Sequence, residues 1–439
     1  MKKTVLLLLL LCGAFAFSGC SIIFEEPSAL ILPPASDQNE YVERTLINSF
    51  LSDGEHLQVP EEMDAPAAFI NLDVDGDGQN EKMAFWSNSN GHEVGVLLMQ
   101  QGGDGTWGIL DQIRQYGAGI DYFKLIDLDG DGKEEACVGI DVGGNNVLSI
   151  YRLSADGFAE MAQLNYSLLD IIDLNGDGSS AVLCALNDYD DTAPTTTLTV
   201  YEGGTQFQNV YEKSFDGNGL EMAFGNVSAD QKGLYFVRTS NYSDLNVELL
   251  LPTADNGFEE QMTGLVHYVN AVSSRNGSDI VADITGDGVL DVQSVVEPIE
   301  TTTGRDEGDY LRIWKTWDGE TGLTNVYGVM ENNTDGYTFI LPQYCLDTVR
   351  YQFVNDKGSS QVRLYDGNNT EPAIILYAQT ASEVQNIENT PGIISLGTSP
   401  SSQRAYYALC NTESFAGQKI NPDDFTQLFQ IEGGQQNDE

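Results

Sequence analysis

Histidine is scarce in this 439-residue chain: there are three, His56, His92 and His267, far apart in sequence. Nothing in that spacing marks a local histidine metal motif. His92-Glu93 is followed at the fifth position by Val96, so an H-E-x-x-H zinc pair fails as well. Basic residues are few, 20 Lys and Arg against 67 Asp and Glu, for a formal charge of −47. That balance opposes nucleic acid and anionic lipid headgroups as partners and suits divalent cations. A G-x-S-x-G elbow, a phosphate-binding loop and a C-x-x-C pair are all missing. Six cysteines are present. Beyond Cys12 and Cys20 they are Cys137, Cys184, Cys345 and Cys410, an even number that permits disulfides. Cys137 and Cys184 stand in apolar strands just after acidic loops, and buried thiols acting as small hydrophobes suit them equally well. What the chain does have is 41% hydrophobic residues, with 18 Phe and 20 Tyr. A substantial core follows, and disorder of the whole chain is excluded.

The N-terminus reads as an address. Lys2 and Lys3 precede an apolar run over residues 5–11, too short for a stable membrane span, and Phe17-Ser18-Gly19-Cys20 follows. The tetrapeptide resembles a bacterial lipobox, with Phe17 departing from the usual Leu, Val or Ile. The resemblance implies a leader over 1–20, a lipid on Cys20 and an extracytoplasmic protein anchored to the cell membrane by that lipid alone. The alternative is an ordinary cleaved signal with Cys20 incidental. Residues 21–35, with Pro33-Pro34, read as an extended tether. Residues 36–52 read as a helix capped by Ser36 or Asp37 and stopped by Gly54. Its apolar side is Tyr41, Leu46, Ile47, Phe50 and Leu51. Tether and helix together occupy 21–54.

The most informative stretch is residues 123–140, FKLIDLDGDGKEEACVGI. An apolar strand enters a tight acidic loop and a second apolar strand leaves it. Ca²⁺ takes about 6–8 hard oxygen ligands in a flexible shell. Alternate side chains Asp127, Asp129 and Asp131 can converge on one ion, with a backbone carbonyl near Lys133 and a bidentate Glu135 completing the shell. Gly130 and Gly132 let the backbone curl, including into φ > 0. An EF-hand places its bidentate Glu at position 12 between helices; here position 12 is Val138, inside a strand.

The loop recurs. Asp73, Asp75, Asp77 and Glu81 match it position for position. Asp173, Asn175 and Asp177 keep positions 1, 3 and 5, but Ala181 replaces the last carboxylate, so this site is expected to be weak or empty. A fourth copy beginning at Asn226 is nearly erased, with Leu234 in the last position. The fifth recovers as Asp283, Thr285, Asp287 and Asp291. A period of about 50 residues, filled by strand patterns with turn signals such as Asp104-Gly105 and Asp156-Gly157, predicts a β-propeller or a similar array.

These loops resemble FG-GAP or VCBS-type repeats, the blades of integrin-alpha-like propellers, over roughly residues 60–335. The set also resembles calcium-loop-bearing lipoproteins of Firmicutes-type bacteria. The resemblance implies that each loop joins the first two strands of a blade and holds a structural calcium ion. Its ligands would be Asp73, Asp75, Asp77 and Glu81; Asp127, Asp129, Asp131 and Glu135; and Asp283, Thr285, Asp287 and Asp291.

The expected fold is therefore mainly β: a calcium-loop propeller over 55–335, of about five blades with seven as the alternative. A C-terminal α+β domain over 336–439 follows, with a helix starting at Asn421-Pro422-Asp423-Asp424 whose apolar face is Phe425, Leu428, Phe429 and Ile431. Gly103-Asp104-Gly105-Thr106-Trp107 falls one residue short of a sialidase Asp-box and reads as a hairpin turn. Trp86, Trp107, Trp314 and Trp317 are expected in the core rather than on a sugar-binding face. With no catalytic motif in view, the expectation is a non-enzymatic surface binding or adhesion module for a protein or polysaccharide. The alternative is a carbohydrate-active enzyme, a glycoside hydrolase or lyase, on the same scaffold.

Overall fold

The computed structural model describes residues 38–431 apart from 89–91, 144–145, 177, 190–192, 204–206, 240–243, 268–279, 301–308, 321, 357–358 and 381–386. The expected leader, Cys20 and the tether lie outside the described residues, as does Asp177.

The burial pattern of the strands shows how the chain is built. Glu81–Asn88, Glu135–Asp141, Ala181–Asp188 and Lys232–Thr239 are buried along nearly their whole length, on both faces. Trp107–Tyr116 and Gly157–Tyr166 alternate between half-buried and exposed positions. A strand buried on both faces reads as a continuous apolar run and belongs inside a covered sheet. Strands of the second kind belong at its rim.

The sheets are open antiparallel meanders, and six of them have four or more strands. The first joins Phe69–Leu72, Glu81–Asn88, Glu93–Gln101 and Trp107–Tyr116, with Glu55–Leu57 added beside Glu81–Asn88. The second runs Gly119–Ile126, Glu135–Asp141, Asn146–Ser154 and Gly157–Tyr166, with the short Glu62–Met63 pairing in parallel. The third holds Leu168–Ile172, Ala181–Asp188, Thr195–Glu202 and Gln208–Asp216. The fourth holds Gly219–Asn226, Lys232–Thr239, Asp244–Pro252 and Phe258–His267. The fifth is Val281–Ala282, Asp291–Val296, Leu311–Trp317, Leu323–Asn332 and Tyr337–Ile340, closed by Phe429–Ile431. In the sixth, Val349–Asp356, Ser359–Asp366 and Ile374–Thr380 are followed in space by Arg404–Cys410 and then Ile393–Ser399. Among the described residues no sheet closes into a barrel.

The chain divides into two compact units, one holding residues up to 127 and 131–165, the other 128–130 and 166 onward. Within the first, the first two sheets pack face to face through Met83, Phe85, Val96, Phe123, Ala136 and Val138. Phe85 and Phe123 meet edge to face with centroids 4.5 Å apart. Helix α1, Gln38–Asn48, covers the other face of the first sheet through Ile47. It is shorter than expected, and Tyr41, assigned to its apolar side, is 65% exposed. Lys82 reaches from the sheet to Glu43 on this helix at 2.6 Å and to Asn71 at 2.7 Å. Within the second unit, sheets three and four share a core around Leu183, Val200 and Phe236. Sheets four and five share Tyr235, Val247 and Val292, and sheets five and six share Phe339, Tyr351 and Leu376.

Three expectations are corrected. The division at 335 is no break in the sheets, because Leu323–Asn332 pairs with Tyr337–Ile340. The α+β character of 336–439 gives way to a five-stranded sheet. The expected C-terminal helix is a 3-10 turn, Pro422–Asp424, plus the four-residue helix α2, Phe425–Leu428. Phe429 and Ile431 sit in a strand instead, where pairing with Tyr337–Ile340 outweighs the helical spacing of the apolar residues. Trp86, Trp314 and Trp317 are buried, as are Cys137, Cys184 and Cys345, and all four described cysteines are free thiols.

Gly95 shows how closely the first sheet packs. A Cβ there would lie 2.1 Å from the Ile113 carbonyl oxygen and 2.5 Å from the Trp86 ring. Backbone cannot yield as a side-chain tip can, so Gly95→Ala is expected to cost about 1–3 kcal/mol. Urea unfolding checks this; an unchanged midpoint contradicts the close approach.

Candidate metal centres

In the first, second, third and fifth sheets the acidic loop joins the first two strands of the meander and adopts one backbone form. Glycines at positions 4 and 6 have φ of 77° and 86° (Gly76, Gly78), 73° and 84° (Gly130, Gly132), 75° and 91° (Gly176, Gly178), and 73° and 84° (Gly286, Gly288). A Cβ at these φ values is strained, so glycine is required for the curl rather than for space. The apolar residue at position 2 is buried in the second and third loops, as Leu128 and Leu174, half-buried in the first as Val74, and exposed in the fifth as Ile284.

The first carboxylate organises each curl. Asp73 accepts hydrogen bonds from the Gly76 N–H at 2.7 Å and the Gly78 N–H at 2.9 Å. The Gly78 N–H, with further backbone N–H groups of the loop, holds the exposed Asp73 carboxyl below the usual carboxylate range. Asp127 accepts from Gly132, Asp173 from Gly176 and Gly178, and Asp283 from Gly286, Asp287 and Gly288, all between 2.8 and 3.1 Å.

The last carboxylate comes in from the next strand and is buried. Glu81 is 5% exposed, and its Oε2 accepts from the Val74 N–H at 3.0 Å. Burial pushes its pKa up, and the neighbouring charges of Asp75 and Asp77 push the same way. Glu135 is fully buried, with Arg152 Nε 3.6 Å from its Oε1. Crowded, buried carboxylates are costly unless a cation neutralises them.

Two loops bring three carboxylates together: Asp73, Asp75 and Glu81, and Asp127, Asp129 and Glu135, each set with one oxygen per residue within 4.8 Å of the others. Hard oxygen donors converging from both ends of a loop fit a metal ion, and the open sides leave room for backbone carbonyls or water. Asp77 and Asp131 stand outside these groups; each accepts from a backbone N–H two residues on, that of Gln79 at 2.7 Å and that of Lys133 at 2.9 Å.

The other loops differ. Asp283, Thr285, Asp287 and Asp291 gather no such group among the described residues. Asp291 is fully buried, accepting from the Ile284 N–H at 3.3 Å and from the Thr316 hydroxyl. Burial raises its pKa, offset by the Thr316 bond. Nothing in the Leu311–Trp317 strand pattern marks Thr316 as that partner. In the third loop Ala181 is buried where Glu81 stands in the first, so the last carboxylate is missing. In the fourth, Leu234 fills that position, fully buried, and the turn closes instead by backbone bonds from Val227 and Ser228 to the Gln231 carbonyl.

Outside the loops, burial lowers the pKa of Lys315, on strand Leu311–Trp317. His56 bonds Ser87 at 3.1 Å, and His92 stacks on Tyr116. The His267 side chain lies outside the described residues.

No family model and no curated protein matches this chain. Among solved structures it is similar to a rhamnogalacturonan lyase PL11 of Bacillus licheniformis, at 13% identity and a TM-score of 0.29, over 83% of this chain and 76% of that one. It is also similar to the rhamnogalacturonan lyase YesW, at 14% identity and 0.29 over 83% and 76%, and to the exotype rhamnogalacturonan lyase YesX, at 13% and 0.25 over 81% and 76%. TM-scores this low transfer no residue role. The three proteins named are rhamnogalacturonan lyases, and against them the expectation of a non-enzymatic binding or adhesion module is corrected in favour of its alternative.

Proposed function

We propose that this protein is a calcium-stapled β-propeller, held outside the cytoplasm by a lipid on Cys20, that acts on polysaccharide as a carbohydrate-active enzyme. The observation that carries the calcium reading is the pair of carboxylate groups, Asp73, Asp75 and Glu81 and Asp127, Asp129 and Glu135, set at the same point of consecutive sheets. Bound calcium would neutralise the crowded acids and tie the first strand of each sheet to the second. Sheets of four or more strands, packed face to face on their neighbours within each unit, support the propeller reading. The substrate class is that of the lyases named above, and turnover decides it.

The test is incubation of the calcium-loaded protein with a panel of plant and cell-wall polysaccharides that includes rhamnogalacturonan. A lyase produces unsaturated products detected by ultraviolet absorbance, and a hydrolase produces reducing ends without them. The expected result is turnover of at least one of these polysaccharides. No turnover on any polysaccharide contradicts the enzyme reading.

A further inference from the structure

At one end of the first sheet, away from the acidic loop, Glu93 pairs with Tyr116, Trp86, Gly95 and Arg114 share the adjacent row, and Glu55 pairs with Asn88, two residues beyond Trp86. Directly opposed residues of an antiparallel sheet project to the same side, and rows two residues apart along a strand agree. These side chains therefore share one face.

Tyr116 is 70% exposed. The His92 ring lies parallel to it, within 2° and 5.9 Å between centroids, and the Gly117 N–H bonds the His92 carbonyl at 3.3 Å, tying the two residues together. Beside them Arg114 is held from three directions. Its guanidinium sits 4.3 Å from the centre of the Trp86 ring, and its nitrogens reach Glu55 at 2.6 Å and Glu93 at 3.1 Å. The absence of a side chain at Gly95 makes room for that Trp86 ring. An aromatic pair open to solvent next to a fixed set of charged donors and acceptors is unusual on a surface, where long side chains ordinarily keep their rotamer freedom.

We infer that Tyr116, His92, Arg114 and Glu93 form a subsite for a neutral sugar residue. The C–H face of a pyranose packs on an aromatic ring, and adjacent hydroxyls take hydrogen bonds from a guanidinium while giving them to a carboxylate. The charge selects the sugar. Arg114 is already engaged by two carboxylates, so the group carries a net negative charge and disfavours a uronate. The inference deepens the polysaccharide reading by placing one unit of the chain, and it assigns no role in bond cleavage.

Calorimetric titration of the calcium-loaded protein with neutral hexose and deoxyhexose oligosaccharides tests it, with oligogalacturonate as the counter-probe. A neutral oligosaccharide is expected to bind, Tyr116→Ala to weaken it at least tenfold, and the melting temperature of that variant to match the parent. Three results overturn the subsite: no neutral oligosaccharide binds, oligogalacturonate binds more tightly, or Tyr116→Ala binds as the parent does. Turnover reports separately. Binding without cleavage keeps the subsite and removes the enzyme reading, whereas cleavage indifferent to Tyr116→Ala, in KM as in kcat, does the reverse.

Discussion

Glu81→Gln is expected to lower the melting temperature in calcium and to raise it, or leave it unchanged, in excess chelator. The two outcomes have separate causes. Without metal, Glu81 is a buried acid whose pKa is raised by burial and by Asp75 and Asp77, so its charge destabilises the folded loop. Glutamine keeps the shape and can still accept from the Val74 N–H that Glu81 Oε2 bonds at 3.0 Å. With metal, the same substitution removes a charged ligand. A ligand that binds only the folded state stabilises it by about 4 kcal/mol at a thousand times its dissociation constant. Most of that gain is lost when the site weakens. A variant that destabilises equally in calcium and in chelator would show that Glu81 is a packing residue, not a ligand.

Asp335→Ala is expected to be the most damaging single change outside the loops. Asp335 is 3% exposed and joins sheets five and six. Its Oδ1 meets Arg404 at 2.9 Å, and its Oδ2 accepts from Asn332 at 3.0 Å and Ser360 at 2.5 Å. The Tyr406 hydroxyl donates to its carbonyl at 2.7 Å. Removing one partner of a buried ion pair leaves the other uncompensated, at about 3–5 kcal/mol. The melting temperature should fall by on the order of 10 °C. Arg404→Met in the same background should recover part of the loss, since it removes the stranded charge. A shift within experimental error for Asp335→Ala would mean that water replaces the carboxylate and that the two sheets hold by apolar contact alone.

Much of this architecture is legible in the sequence because strand patterns and turn glycines are local. The apolar runs on either side of the Asp127 loop form the strands Gly119–Ile126 and Glu135–Asp141, as expected. The loops are legible for the same reason, since their glycines and first carboxylates bond within the loop. What stays hidden depends on distant pairing. The strand order that places Arg404–Cys410 between Ile374–Thr380 and Ile393–Ser399 leaves no trace in periodicity. Neither does the return of Phe429–Ile431 to the fifth sheet, where the helical spacing of Phe425, Leu428, Phe429 and Ile431 misleads. At the sites, spacing alone treats the Asp283 loop as equal to the first two. Two differences set it apart: Thr285 stands where the first two loops carry Asp75 and Asp129, and Thr316 from a neighbouring strand bonds Asp291. The Tyr116 and His92 pairing was equally invisible, since it depends on a cross-strand register.

The most direct measurement is a calorimetric calcium titration of metal-free protein, residues 36–439, with a thermal melt before and after. Two ions bound, with a melting temperature that rises in calcium and falls back in chelator, is the predicted result. A chain that binds no calcium, and melts at the same temperature in calcium and in chelator, would contradict the calcium staple.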